Sequence, residues 1–269
     1  MDGQERQHAG WTVREYDAGA SGPAVLLLPG GMCTTGFYDD LAAQPLVRAS
    51  SLRLVAATLP GHGGTAPLTD AGVENVARRA SGLARDFDCR VVVGHSMGAN
   101  VAIEMARLDE FRGPLVLLSP SFSRDDESRF LRAVDRFAGP LGSLPYRAML
   151  RMVGVMMKQL KVTAARKAEL TAEMRRNDPG SLREAVRAYL EYLDAHGTLA
   201  PGLCESGVPA WVAFGARDDV GLRDDERALL AACPTVELVE IADAGHMTLN
   251  EQPRSVADLV LQAVRSADG

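Results

Sequence analysis

The chain has 269 residues, of which 46% are hydrophobic and 24% are charged, and its formal net charge is −6. This length and apolar content predict one large globular domain with a sizeable core. The negative net charge, spread in short runs of both signs, predicts neither a nucleic acid partner nor a membrane partner. No apolar run approaches the roughly 18 residues that a membrane-spanning helix needs, and we expect a cytoplasmic protein.

The potential metal-binding side chains are scattered along the chain. The four cysteines, at positions 33, 89, 204 and 233, have none of the spacings that mark a metal site. No two histidines are spaced as ligands on one predicted element. We therefore expect free thiols, no metal and no cofactor, and the sequence does not indicate the oligomeric state.

Seven runs of apolar or alternating residues predict strands, at Trp11–Tyr16, Ala24–Leu28, Arg53–Ala57, Arg90–Val93, Leu115–Leu118, Ala210–Phe214 and Val236–Ile241. From the second run onward, the strands alternate with helical patterns, the last of them from Ser255 to Val264. This alternation predicts an α/β fold with right-handed crossovers and a mostly parallel central sheet flanked by helices.

Residues 121–207 interrupt this alternation with several helical patterns and little strand character. We interpret them as a helical cap inserted into a core domain formed by residues 1–120 and 208–269. One apolar helical face in the cap carries Met149, Met152, Val153 and Met156. Two interpretations of this face stay open, namely packing within the protein and lining of the pocket for an apolar substrate.

The motif GHSMG at residues 94–98 directly follows one predicted strand and directly precedes a helical pattern over residues 99–108. The order of strand, G-x-S-x-G and helix predicts a nucleophile elbow. In this tight turn the serine, Ser96, takes a strained backbone conformation, and the two glycines let the strand and the helix pass closely. We expect the Ser96 hydroxyl to stand exposed at the N-terminus of the helix.

An elbow serine needs a base and a group that orients the base. His246 lies in the loop after the predicted strand Val236–Ile241, and Asp218 lies just past the predicted strand Ala210–Phe214. Asp219 is a competing candidate for the orienting acid, but Asp218 fits the position at the strand end better. The sequence therefore predicts a catalytic set of Ser96, Asp218 and His246.

Four motifs together resemble the α/β-hydrolase superfamily, in its serine hydrolase branch with a helical cap. They are LLLPGG at residues 26–31, LPGHG at residues 59–63, the GHSMG elbow, and the Gly245–His246 pair, and the order serine, acid, histidine also matches. The resemblance implies an oxyanion hole formed by the backbone N–H groups of Gly31 and Met97. The family usually has histidine where this chain has Pro29. The same loop would bring Cys33 near the serine, and the role of this thiol stays open.

This resemblance implies a serine hydrolase that cleaves a small or medium apolar ester, or a related acyl compound, through an acyl-enzyme on Ser96. Its partner would be a small-molecule acyl substrate. One alternative is a type II-like thioesterase that unloads an acyl carrier, because the GHSMG elbow is similar to that of type II thioesterases. Another is a cofactor-free C–C hydrolase. A different class of function is a small-molecule receptor with little turnover, on the same fold.

Overall fold

One sheet runs through the part of the chain described by the computed structural model, which is residues 3–17 and 20–267. Its eight strands are ordered β1-β2-β4-β3-β5-β6-β7-β8. Their bounds are β1 Glu5–His8, β2 Trp11–Tyr16, β3 Ala24–Leu28, β4 Arg53–Thr58, β5 Cys89–His95, β6 Leu115–Leu118, β7 Ala210–Gly215 and β8 Val236–Ile241. The predicted core range 1–120 thus includes four residues, at 1–2 and 18–19, that lie outside the described part.

The sheet is parallel except at one edge. Strand β2 pairs antiparallel with both β1 and β4, and the pairs from β4 through β8 are all parallel. The seven predicted strands and the predicted α/β-hydrolase fold are confirmed. Strand β1 was missed because it shows no apolar alternation, and its residues are exposed or half-buried at the sheet edge.

Twelve α-helices connect and cover the described strands, with two short 3-10 turns at Thr35–Tyr38 and Met157–Gln159. The helices are α1 Asp39–Ala42, α2 Pro45–Ala49, α3 Val73–Asp86, α4 Met97–Arg107, α5 Arg129–Leu141, α6 Leu144–Met156, α7 Ala164–Met174, α8 Pro179–His196, α9 Ala200–Ser206, α10 Asp224–Ala232, α11 Thr248–Glu251 and α12 Pro253–Ala267. None of the described helices is long and apolar enough to cross a membrane.

The core lies around the central strands. Every residue of β3 is buried, as expected for a strand of a parallel sheet that helices cover. Helix α4 packs on β3, β5 and β6, and α12 packs on β5, β6 and β7. Burying one leucine of β3 stabilises the fold by roughly 1.5–3 kcal/mol. The buried strands therefore hold in place the edge of the sheet at which the loops gather.

Helices α5 to α9 lie between the end of β6 at Leu118 and the start of β7 at Ala210, and the described residues of this insertion form no strand. Helix α8 begins at the sequence DPG of residues 178–180. Asp178 accepts hydrogen bonds from the N–H groups of Gly180 and Ser181, and Pro179 fits the first helical position. The division of the chain into a core and a cap at residues 121–207 stays a prediction.

Arg166 of α7 joins the insertion to the rest of the molecule. Its guanidinium donates hydrogen bonds to Asp40 at 2.8 Å and to the carbonyl of Gly36 at 2.7 Å. The Arg166 side chain is only 9% exposed, so this ion pair is shielded from solvent better than a surface pair. It anchors α7 next to the loop that follows β3.

Candidate active site

The carboxyl ends of four parallel strands bring the predicted site residues to one edge of the sheet. Strand β3 leads to Gly31, β5 to Ser96, β7 to Asp218 and β8 to His246. Ligand sites in open parallel sheets form at this edge. The topology thus gathers residues that lie far apart in the sequence.

Ser96 occupies a sharp turn between β5 and α4. Its backbone angles are φ 49° and ψ −123°, a conformation that non-glycine residues rarely adopt. A Cβ atom added to Gly94 would lie 2.5 Å from the Cα of Ala99, and one added to Gly98 would lie 2.2 Å from the carbonyl oxygen of Leu28. Both glycines are therefore required for the close passage of β5, α4 and β3.

His246 and Asp218 form a hydrogen-bonded pair. The Nδ1 atom of His246 lies 3.0 Å from Oδ1 of Asp218. The side chain of Asp218 is 2% exposed and that of His246 is 30% exposed. Burial alone would lower the pKa of His246, but the hydrogen bond and the charge of Asp218 outweigh it and raise this pKa above the ordinary value. The pair therefore stabilises a positive imidazolium, as a general base requires.

Two further donors hold the Asp218 carboxylate. The hydroxyl of Ser119 donates to Oδ2 at 2.5 Å, and the N–H of Val220 donates to Oδ1 at 3.0 Å. Burial would raise the pKa of Asp218, but these bonds and the one from His246 keep it below the ordinary value. Asp219, by contrast, is exposed. Sequence reasoning missed Ser119, whose only sequence signal is its position directly after β6.

His95 connects His246 to the elbow. Its Nε2 atom lies 2.9 Å from the carbonyl oxygen of His246, and its ring lies between the rings of Phe37 and His246. Burial lowers the pKa of His95 to about 3, so the ring is neutral and Nε2 carries the proton of this bond. Among the described residues no hydrogen bond joins Ser96 directly to His246, and such bonds often form only when substrate is present.

The loop after β3 passes directly over the elbow. A Cβ atom added to Gly30 would lie 3.1 Å from Cβ of Ser96, and one added to Gly31 would lie 3.6 Å from Cε of Met97. Within the described part of the chain, the backbone N–H groups of Gly31 and Met97 donate to no protein acceptor. Two unused donors thus lie on the two segments that meet at Ser96.

Side chains from two other segments fix the orientation of this loop. His62 accepts a hydrogen bond from the N–H of Met32 at 3.3 Å, and Asn177 donates to the carbonyl of Met32 at 2.8 Å. Asn177 also accepts from the N–H of Gly63 at 3.0 Å. Burial lowers the pKa of His62 to about 4, so its Nδ1 stays available as an acceptor. His62 therefore supports the loop and lacks the proton affinity of a general base at neutral pH.

A narrow apolar crevice of about 30 Å³ opens beside Met97 and His62. One wall comes from the loop after β4 and the start of α3, and the facing wall comes from helix α8 through Ser181, Ala185 and Tyr189. These three residues recur every four positions, which is one face of a helix. That spacing is the signal in the sequence from which the part of the crevice formed by the insertion could have been predicted.

The four substrate contacts predicted on α6 lie elsewhere. Met149 and Val153 are buried, whereas Met152 is 52% exposed and Met156 is 38% exposed. None of the four lines the crevice beside Met97. Helix α6 packs on α5, α7 and α8, which accounts for the burial of one part of its apolar face. A role of these residues in binding substrate stays a prediction.

The same region contains groups for two other chemistries, a thiol nucleophile and a metal site. Cys33 is buried, and burial together with Glu173 raises the pKa of its thiol, so the thiol stays protonated and is a poor nucleophile. Potential metal-ligand atoms of Asp218, Asp219 and His246 lie within 4.8 Å of one another. A cation there would compete with the bond between Nδ1 of His246 and Asp218. The donor set thus fits proton transfer.

Comparison with protein-family models identifies the family. The model described as "Alpha/beta hydrolase family" matches residues 25–259, so the chain belongs to that family. This match covers both the elbow and the segments that carry Asp218 and His246. No curated protein matches the sequence.

Solved structures share the fold at low sequence identity. An esterase from Exiguobacterium antarcticum has a TM-score of 0.74 at 13% identity, covering 98% of this chain and 100% of that one. A thermophilic esterase from Thermogutta terrifontis has a TM-score of 0.70 at 19% identity, covering 99% and 98%. A thioesterase domain from the curacin biosynthetic pathway has a TM-score of 0.70 at 17% identity, covering 97% and 99%. At these identities the comparisons establish the fold alone.

Proposed function

We propose that this protein is a serine hydrolase that cleaves a small or medium apolar ester through an acyl-enzyme on Ser96. The observation that carries this proposal is the hydrogen bond between His246 and the buried carboxylate of Asp218, at the sheet edge where the strained elbow presents Ser96. Membership of the alpha/beta hydrolase family supports hydrolytic activity in general.

In the proposed mechanism, Oγ of Ser96 attacks the carbonyl carbon of the ester while Nε2 of His246 takes the hydroxyl proton. The hydrogen bond from Nδ1 to Asp218 fixes the tautomer that leaves Nε2 free to accept this proton. The carbonyl oxygen becomes negative in the tetrahedral intermediate. His246 then gives its proton to the leaving alcohol, and the ester carbon stays bonded to Ser96.

We assign the two unused donors, the N–H groups of Gly31 and Met97, to the negative oxygen. A donor of this kind typically contributes about a hundredfold to a thousandfold in rate. The hydrogen bonds that Met32 donates to His62 and accepts from Asn177 hold the loop in place before substrate binds, so little reorganisation is needed. In the second half of the reaction, His246 removes a proton from water, which attacks the acyl carbon. The bond to Oγ of Ser96 then breaks, His246 returns the proton to Oγ, and the acid leaves.

The crevice supports a small or medium apolar acyl group. It begins beside Met97, one of the proposed oxyanion donors, and much of its lining is apolar. Its volume of about 30 Å³ is small, so a longer chain requires α8 to move away from α3. We therefore expect turnover to fall as the acyl chain lengthens.

The test is turnover of p-nitrophenyl esters of increasing acyl length, with the matching acyl thioesters measured beside them. Ser96→Ala removes the proposed nucleophile. Ser206→Ala on α9 is the matched control, because its hydroxyl donates to the carbonyl of Leu203 and accepts from the N–H of Val208, away from the elbow. We expect hydrolysis in the wild type and in Ser206→Ala, and none above background in Ser96→Ala with an unchanged circular dichroism spectrum.

Three outcomes would contradict the proposal in different ways. Turnover retained by Ser96→Ala would remove the serine mechanism. Cleavage of thioesters at least a hundredfold faster than esters would show that the substrate is a thioester and not an ester. No turnover of either series by a folded protein that still binds small apolar ligands would favour a receptor on this fold.

A further inference from the structure

Helices α5 and α6 carry most of the exposed apolar surface. Within the described part of the chain, nine large hydrophobic side chains are prominently exposed, and seven of them lie on these two helices. Their exposed fractions range from 38% to 60%, and they are Phe130, Phe137, Leu141, Leu144, Met152, Val155 and Met156. We call these two packed helices the α5–α6 hairpin. Such a concentration is unusual on a monomer surface and marks an interaction site.

Each helix presents its exposed apolar residues as a stripe. Phe130, Phe137 and Leu141 recur at i, i+7 and i+11, which places them on one narrow face of α5. Only Gly142 and Ser143 separate Leu141 from Leu144 at the start of α6, so the two stripes approach each other at the turn. The hairpin therefore presents apolar side chains along both helices.

The same hairpin is strongly basic in an acidic protein. Residues 129–156 contain five arginines and one acidic residue, Asp135, whereas the whole chain has a net charge of −6. Asp135 is paired with Arg124, which lies outside the hairpin, at 3.5 Å. Four arginines, at positions 129, 136, 147 and 151, are exposed, and none makes a salt bridge to a carboxylate of the described residues. Arg147 acts on the nearby carboxylate of Asp178, and the charge of the other three is available to a partner.

We propose that the α5–α6 hairpin docks the protein on an anionic lipid surface. The exposed phenylalanine, leucine and methionine side chains would enter the acyl layer, and the arginines would bind the phosphate groups around them. Basic residues near an anionic leaflet add to the apolar contribution, so the two features act together. The net charge of the whole chain predicted no membrane partner because it hides this uneven distribution.

Two other occupants fit the observations less well. A second copy of the chain, docked through the same surface about a two-fold axis, would place like-charged arginines against each other. A protein partner inserting a side chain would need a concave site. The two surface cavities next to the hairpin are lined by charged and small residues such as Arg136 and Gly154, not by the seven exposed apolar ones. Stripes of apolar side chains that enclose no pocket suit a fluid layer.

The proposal also reassigns part of the apolar face of α6. Met152 and Met156, which were expected in the substrate pocket, would contact lipid instead, while Met149 and Val153 hold the helix in place. Docking does not depend on hydrolysis. It is therefore measured in the Ser96→Ala background, so that failure of the serine mechanism leaves the lipid test unaffected.

The experiment measures co-sedimentation of the full chain with vesicles. One set contains phosphatidylcholine with phosphatidylglycerol, and the other contains phosphatidylcholine alone. The variants on the hairpin are Phe137→Ser and Arg136→Glu. The matched controls are Leu229→Ser and Arg227→Glu, an exposed apolar and an exposed basic residue on α10.

We expect binding to the anionic vesicles that weakens with added salt. The partition coefficient should fall about tenfold for each hairpin variant and stay within about twofold for each control. The proposal is overturned if the wild type does not bind anionic vesicles, or if hairpin and control variants bind alike. A different result would be no lipid-bound form but a concentration-dependent dimer, detected by ultracentrifugation, that Phe137→Ser abolishes. That result would show that the hairpin binds a second copy of the chain and not lipid. Binding only to an acidic protein would also overturn it.

Discussion

Replacing Asp218 with asparagine tests the proposed orienting acid with almost no change in shape. In the wild type, Asp218 accepts hydrogen bonds from His246, Ser119 and Val220, and its side chain is 2% exposed. An asparagine amide that turns its NH₂ toward Nδ1 of His246 would favour the tautomer with the proton on Nε2. That nitrogen could then no longer accept the proton of the serine.

The expected loss follows from this change of tautomer. In a serine hydrolase with this arrangement, the substitution lowers kcat by about 10⁴-fold, which corresponds to about 5.5 kcal/mol in the barrier. Asp219→Asn is the matched control, because Asp219 is exposed and influences His246 only through its charge. We expect its kcat/KM to stay within about threefold of the wild type, since exposed charges act weakly.

The assay is the initial rate of p-nitrophenyl ester hydrolysis, with thermal unfolding to verify that both variants fold. An adduct of a fluorophosphonate probe on the same proteins reports separately whether the nucleophile is present. Near-normal turnover in Asp218→Asn together with loss of turnover in Asp219→Asn would refute the reasoning. It would show that the neighbouring carboxylate orients the base.

The remaining predictions concern pH, backbone geometry and chain length. Because His246 must be neutral to act as a base and its pKa is raised, kcat/KM should fall as the pH drops, with a midpoint above the ordinary histidine value of about 6.5; a pH–rate profile checks this. Gly98→Ala should destabilise the fold by about 3 kcal/mol in urea unfolding. Gly139→Ala, whose added Cβ meets nothing within 4 Å, should be neutral or stabilise the fold by about 0.5–1 kcal/mol. Equal effects of the two substitutions would contradict the geometry. Ala185→Leu should lower kcat/KM for the longest accepted ester about tenfold and spare acetate esters; an unchanged chain-length profile would place the acyl group elsewhere.

The sequence predicted the parallel part of the sheet well, because buried parallel strands are continuous apolar runs. Strand β3 is fully buried and was found at its observed bounds. Strand β1 lies at an exposed edge, and its sequence, ERQH, carries no apolar period from which it could be recognised. Edge strands of this kind depend on pairing with a neighbour more than on their own pattern.

The sequence also predicted which residues lie at the carboxyl edge, because each of them directly follows a strand. It assigned Asp218 to orient His246, but it did not indicate that Ser119 also bonds to Asp218. The position of Ser119 after β6 was readable, but its bond to Asp218 depends on how β6 and β7 are aligned. The contribution of α8 to the crevice was not predicted, for a similar reason. A helical period shows that α6 and α8 each have an apolar face, but only tertiary packing decides which neighbour each face meets.

The central claim is that Ser96 is the activated nucleophile, and the most direct measurement is the site of covalent labelling. The purified protein is treated with a fluorophosphonate probe, digested, and analysed by mass spectrometry to locate the adduct. The account predicts one adduct on Ser96, formed rapidly in the wild type, slowly in His246→Ala and not at all in Ser96→Ala. A folded wild-type protein that forms no adduct, or one labelled at another residue such as Cys33, would contradict it.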